Sequence, residues 1–384
     1  MRTYLTGGKI ITPEVVLLGK TLIIEEDQIL GIVSAEFSPA VGEQVIDAAG
    51  GWIAPGMIDL HVHGAVGFDT MDATTEASFE MGQFFAKHGV TSFLATTMSA
   101  PPHEITRAIQ NVAGWQNLEG SSRCLGIHIE GPYLNPTFRG AQPERYLRDA
   151  DPVEYKDWIT SGVIRLVSIA PERPGSLSFI TQGVNQGVEF AVGHSGATYE
   201  QVIQAADCGL RQATHTFNGM LGLHHREPGV LGAVLSDSRI FAQIIADSVH
   251  VHPAAIRILV RAKGADRTIL ITDAIQAAGL KDGEYELGKE KVVVHNGISR
   301  TISGGLAGST LTMDGAVRNM IAFTGLSFED VIPMATSTPA AAMGWYGKKG
   351  IIRPGADADI VVFDQALQVR TTLVGGKVVY QRAD

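Results

Sequence analysis

From residue 52 to residue 272 the chain alternates compact apolar runs with longer stretches whose apolar residues recur at helical spacing. The runs fall at 52–61, 90–96, 124–129, 163–170, 188–193, 210–215, 241–246 and 268–272. A run that is apolar throughout is a strand buried on both faces, and such strands separated by helical stretches are parallel βα units. Eight units over roughly 290 residues predict a closed (β/α)8 barrel rather than an open doubly wound sheet.

The flanks have a different rhythm. Residues 4–11, 21–25, 28–33 and 44–47 are short strand-like pieces divided by turns, and 358–364 and 369–380 repeat that pattern around Gly375-Gly376. Each flank is too small to stand alone, and together they complete one sheet module. The expected architecture is therefore α/β: a TIM-like barrel over 54–345 with a small β-sandwich module built from 1–53 and 346–384. Residues 281–303 break the barrel rhythm with short polar and β-branched stretches, which predicts a hairpin inserted after the eighth strand.

Composition narrows the function. With 45% hydrophobic and 18% charged residues, the 384-residue chain affords a large core and is not a disordered protein. Thirty Lys and Arg against forty Asp and Glu give a net charge of −10, which argues against nucleic acid as a partner. An anionic ligand must then be held by a few local cations. The two cysteines, Cys124 and Cys208, form no CxxC pair, so neither a disulfide framework nor a thiolate zinc site is expected. No apolar run reaches membrane-spanning length and the N-terminus lacks the apolar core of a signal peptide, so no membrane partner and a cytoplasmic setting are expected. No GxGxxG follows an early strand and no GxxxxGK[ST] occurs, which removes the main support for nucleotide binding.

Polar residues able to hold a metal stand where the apolar runs stop. His61 and His63 close the first run, Glu130 the third, His194 the fifth, His215 the sixth and Asp273 the eighth. In a parallel barrel those ends converge on one rim. Within His61-Val62-His63 the period-two alternation of a strand points both imidazoles to one side, so that they can share an ion. Singly, each histidine has an ordinary structural role open to it, and Asp273 could cap a helix. Glu130 has less latitude: a buried, unpaired carboxylate is costly, and a neighbouring cation removes that cost.

These motifs resemble the amidohydrolase superfamily. More narrowly, His128-Ile-Glu-Gly-Pro-Tyr133, Gly193-His-Ser195, His215-Thr-Phe-Asn-Gly-Met220, His224-His-Arg-Glu-Pro-Gly229, His250-Val-His-Pro253, Thr272-Asp-Ala274 and Leu306-Ala-Gly-Ser-Thr-Leu311 are similar to the N-acetylglucosamine-6-phosphate deacetylase family. They are also similar to its N-acetylgalactosamine-6-phosphate counterparts. The resemblance implies a divalent metal cofactor, zinc first with iron, manganese or cobalt as alternatives, at one or two ions per subunit. Glu130, His194 and His215 would hold the principal ion, and His61 and His63 a second, with Glu130 bridging and Asp273 nearby. The fourth run contains no lysine, unlike superfamily branches that bridge two metals with a carbamylated lysine.

The same resemblance sets the expected chemistry: hydrolysis of the N-acetyl group of N-acetyl-D-glucosamine 6-phosphate to D-glucosamine 6-phosphate and acetate, in amino-sugar catabolism. Asp273 would take a proton from the attacking water and hand it to the amine. Arg226 suits a phosphate through paired hydrogen bonds, with further donors from Asn218 and the backbone of Gly219, and His250 is the implied substrate-contacting histidine. In relatives the arginine reaches a neighbour's site, which implies a homodimer. Gln142 stands where the family usually has a histidine; it can donate to a sugar hydroxyl or carbonyl but carries no charge. The galacto epimer, an amidohydrolase for a different amide and a non-catalytic sugar-phosphate sensor are the alternative readings.

Overall fold

The computed structural model describes residues 2–34, 42–115 and 118–383; the outer bounds of the expected module, residues 1 and 384, lie outside them. Eight parallel strands form one sheet in strict chain order: Met57–Val62, Val90–Thr96, Arg123–Glu130, Ile164–Ile169, Glu189–Val192, Gln212–Ala213, Phe241–Ile244 and Thr268–Leu270. Each is followed by a helix, in turn Thr75–Lys87, Pro102–Val112, Pro152–Thr160, Ser176–Val184, Tyr199–Asp207, Gly229–Ser236, Pro253–Lys263 and Met313–Thr324. The sheet closes between its first and last strands through a bridge from Val62 to Ala274, with Asp273 N–H donating to His61 O at 2.9 Å. The protein is thus a (β/α)8 barrel with a separate β module.

Helix starts are set by local chemistry. Thr74 accepts from Ala77 N at the first helix, and Thr198 and Gln201 form a reciprocal capping box at the fifth. Inside, the strands bury apolar side chains on both faces, as the unbroken runs require; all seven residues of Val90–Thr96 are buried.

Two sheets make the module. One orders Gln28–Ser34, Lys20–Glu25, Arg2–Thr6 and Gln44–Asp47; the other orders Lys377–Gln381, Val369–Val374, Ile360–Phe363, Trp52–Pro55, Lys9–Ile11 and Val16–Leu17. Strand alternation assigns the second sheet two jobs. Ile360 and Val362 join Leu5, Leu22 and Ile53 in the module core, while Val361 and Phe363 face the other way and join the barrel core.

Three expectations need correction. The run 52–61 is not one strand: Trp52–Pro55 belongs to the module sheet and Met57–Val62 to the barrel. The chain changes sheets at Gly56, where an added Cβ would lie 2.2 Å from Thr91 Oγ1, so the boundary expected after residue 53 falls inside a module strand. The run 4–11 likewise breaks into Arg2–Thr6 and Lys9–Ile11. The insertion after the eighth strand is not a hairpin but a three-stranded antiparallel sheet, Gly283–Leu287, Glu290–His295 and Ile298–Thr301. It overhangs the barrel rim, its turn held by Gly288 N–H donating to Asp69 Oδ2 at 3.2 Å.

Candidate metal centre

The C-terminal strand ends bring His61, His63, Glu130, His194, His215 and Asp273 to one buried spot. Glu130 is the last residue of the third strand, its carboxylate aimed inward by strand alternation. His194, His215 and Asp273 come just after their strands, with φ of 48°, 30° and 51°. Left-handed backbone is uncommon in residues with a Cβ and costs free energy, so the surrounding structure must hold it. In each case the chain turns sharply out of its strand while the side chain stays on the barrel axis.

The six form two triads, linked where the Glu130 carboxylate of one meets His61 and His63 of the other. In one, Glu130 Oε1 lies 3.1 Å from both His194 Nε2 and His215 Nε2, and those nitrogens are 3.1 Å apart. In the other, His61 Nε2 and His63 Nε2 are 3.2 Å apart, each 3.3 Å from Asp273 Oδ1. Glu130 Oε2 faces His63 Nε2 at 3.2 Å. Donor atoms that share a tetrahedral ion at Zn–N distances are roughly 3.3 Å apart, so both triads match the spacing of a coordination shell. The donor set, four imidazoles and two carboxylates without sulfur, suits a divalent cation of the zinc, iron or manganese kind.

Second contacts differ between the groups. His194 Nδ1 donates to Phe138 O at 2.9 Å and His215 Nδ1 to Asn218 O at 3.2 Å, which leaves each Nε2 as the lone-pair atom facing the centre. The Nδ1 atoms of His61 and His63 are buried with no partner among the described residues.

Electrostatics favour positive charge here. Burial opposes ionisation of Glu130, yet His61, His194 and His215 hold its carboxyl well below the usual range. Asp273 is lowered to about 2, burial again being outweighed by His61 and His63. Burial disfavours the His63 imidazolium, but Asp273 and Glu130 push it up to about 10. His194 is raised against burial by Glu130, whereas burial and His194 keep His215 low.

Around this centre opens a cavity of about 930 Å³. Asn218, Gly219 and His250 line it. Gly219 has φ of 57°, and a Cβ there would come within 2.9 Å of His194 Nδ1. His250 is half-buried with Nδ1 against Asp247 Oδ2 at 2.6 Å, which raises its pKa against the effect of burial and leaves Nε2 for the cavity. The other two expected substrate contacts are placed differently. Arg226 is exposed on the loop after the sixth strand, bonded to His225 Nε2 at 2.7 Å, and does not line its own chain's cavity. Gln142 lines the cavity but its amide is spent on protein: Nε2 donates to Glu130 Oε2 at 2.7 Å and Oε1 accepts from Ser99 N at 2.8 Å.

Other residues escaped the sequence reading. Asp59 bonds the Thr272 hydroxyl at 2.6 Å and so ties the first strand to the eighth; it is pushed up to about 6 by burial, against its hydrogen bonds. Its i, i+2, i+4 spacing with His61 and His63 was the available signal. His128 packs edge-on against His61, with both ring nitrogens engaged by Leu60 O and Ser168 Oγ. Arg139, Arg145, Lys289 and Lys291 surround the mouth; three come from loops and strands that the linear pattern did not connect to the rim.

A buried two-triad centre on the catalytic rim of a TIM barrel defines a metal-dependent hydrolase. The sequence profile of the Amidohydrolase family matches residues 52–379. An Escherichia coli N-acetylgalactosamine-6-phosphate deacetylase is 42% identical over 85% of this chain and 87% of its own length. A Vibrio furnissii N-acetylglucosamine-6-phosphate deacetylase is 41% identical over 86% of this chain and 84% of its own. Among solved structures, N-acetylglucosamine-6-phosphate deacetylase from Pasteurella multocida superposes with a TM-score of 0.95 at 30% identity, covering all of both chains. A Mycobacterium smegmatis deacetylase in complex with N-acetyl-D-glucosamine-6-phosphate gives 0.92 at 34%, covering 99% of this chain and all of that one. The chain belongs to the amidohydrolase family, on the branch these 6-phosphate deacetylases form.

Proposed function

We propose that this protein hydrolyses the acetamide of N-acetyl-D-glucosamine 6-phosphate, giving D-glucosamine 6-phosphate and acetate in amino-sugar catabolism. The observation that carries this reading is the pair of adjoining triads linked by Glu130, in a chain aligned almost end to end with deacetylases of that substrate class. Glu130, His194 and His215 would hold the principal ion; His61, His63 and Asp273 would hold a second. Zinc suits these donors best. Such an ion supplies an acidified water and a polarised carbonyl.

This chain's residues do the rest. Asp273, ionised and at the centre's open side, accepts the proton of the attacking water and returns it to the departing nitrogen. His250 Nε2 and the Asn218-Gly219 turn face the sugar phosphate. Arg226 lies outside its own cavity, and the resemblance to the deacetylases would have it serve as the phosphate-binding cation of a second copy, in a homodimer. A doubly charged sugar phosphate does not cross lipid unaided, which supports a cytoplasmic reaction.

The galacto epimer is the second reading, favoured by the 42% identity to a deacetylase of that sugar. The test is acetate release from both epimers, with and without chelation. Metal-dependent turnover, faster on the gluco substrate, is the expected result. Undiminished turnover in the stripped protein rejects the mechanism, and faster galacto turnover reassigns the substrate.

A further inference from the structure

The proposed two-metal reading makes Glu130 a shared ligand, and a carboxylate whose plane is set by outer contacts binds a second ion more tightly than one left free to turn. One oxygen is settled: Oε1 faces His194 and His215, whose rings are themselves locked by backbone carbonyls. The other oxygen, Oε2, faces His63, whose Nδ1, like that of His61, has no partner among the described residues. Nothing in the histidine half of that second triad orients it.

Gln142 does. It is 2% exposed, and its amide direction is not ambiguous. Ser99 N–H is a donor, so the atom it meets at 2.8 Å must be the amide oxygen; the NH2 group then points at Glu130 Oε2, 2.7 Å away. The backbone of Gln142 is fixed in turn by N–H donation to Arg139 O at 2.9 Å. A charge-assisted hydrogen bond from a doubly anchored amide sets the carboxylate plane while leaving Oε2 a lone pair for an ion.

We propose that Gln142 is a positioning residue that presents Glu130 Oε2 to the His61, His63 and Asp273 triad, so that binding of the second ion depends on it while binding of the first does not. This rests on the metal-dependent reading above, but the test needs no substrate. Apo protein is titrated with zinc against a chromophoric chelator, for wild type, Q142M (similar length, no donor) and Q142A (no overpacking), with matching apo melting temperatures as the check on folding. Outer contacts to a metal ligand are typically worth 10- to 100-fold in affinity. The first ion is expected to bind both variants within about twofold of wild type, and the second to weaken by at least about tenfold. With substrate, kcat should fall and recover at excess zinc while KM holds.

Wild-type affinity for two ions in both variants overturns the proposal, as does equal weakening of both ions. So does a raised KM with metal binding unchanged, which is what a sugar contact by Gln142 would give. A protein that binds two zinc ions but deacetylates neither sugar would refute the proposed function and leave this inference standing.

Discussion

Asp273 shows how much one residue's backbone can decide. At φ of 51° it leaves the eighth strand in a left-handed turn that keeps its carboxylate 3.3 Å from two imidazoles. A helix-capping aspartate would point along the next helix instead, and the three-stranded insertion separates this one from the eighth helix altogether. Asp273→Asn keeps an oxygen for the ion but cannot accept the proton. General acid–base steps contribute on the order of 10²–10⁴-fold, so kcat should fall by about that factor while zinc content, measured by elemental analysis, drops little. Retained turnover would remove Asp273 from proton transfer.

At the scale of elements, the first and eighth barrel helices are joined by a charge cluster far from the chemistry. His88 caps the first helix and meets Asp314 Oδ1 at 3.0 Å; Arg318 meets Oδ2 at 2.9 Å. Burial opposes ionisation of Asp314, but these partners prevail and lower its pKa to about 2. A folded pKa below the unfolded value of about 3.9 means that the stabilisation is fully present above roughly pH 5 and is lost as pH falls through 4 towards 2. A shift of about two units corresponds to roughly 2–3 kcal/mol. Asp314→Asn should therefore lower unfolding free energy at pH 7 by about 2 kcal/mol in urea titrations, and the gap to wild type should narrow near pH 3. A constant gap across that range would show packing rather than charge at work.

For the molecule as a whole, Arg226 is the informative position. Its loop exposes Leu223, His224, His225 and Arg226 together, and the cation is not among the residues lining its own cavity. If it completes a neighbour's cavity, Arg226→Ala and Asp273→Asn should each be inactive alone and complement one another. Random reassociation gives half mixed dimers, each with one intact cavity, so about a quarter of wild-type activity should return. No recovery on mixing would confine Arg226 to its own chain.

The sequence alone determined the barrel and the six polar side chains that gather at its rim. Eight apolar runs, each buried on both faces, left little freedom in the fold, and His61, His63, Glu130, His194, His215 and Asp273 were visible because strand ends are where a linear pattern meets a rim. Burial and strand alternation are local properties, readable over a few residues. Tertiary structure decided what depends on distant segments meeting. One apolar run divides between two sheets at Gly56, where Thr91 leaves no room for a side chain. Gln142 turns its amide NH2 to Glu130 because Ser99, 43 positions away, takes its oxygen. Arg226 lies outside the cavity because of how its loop leaves the sixth strand. Such pairings come from barrel closure and loop geometry, which impose no periodicity on the chain.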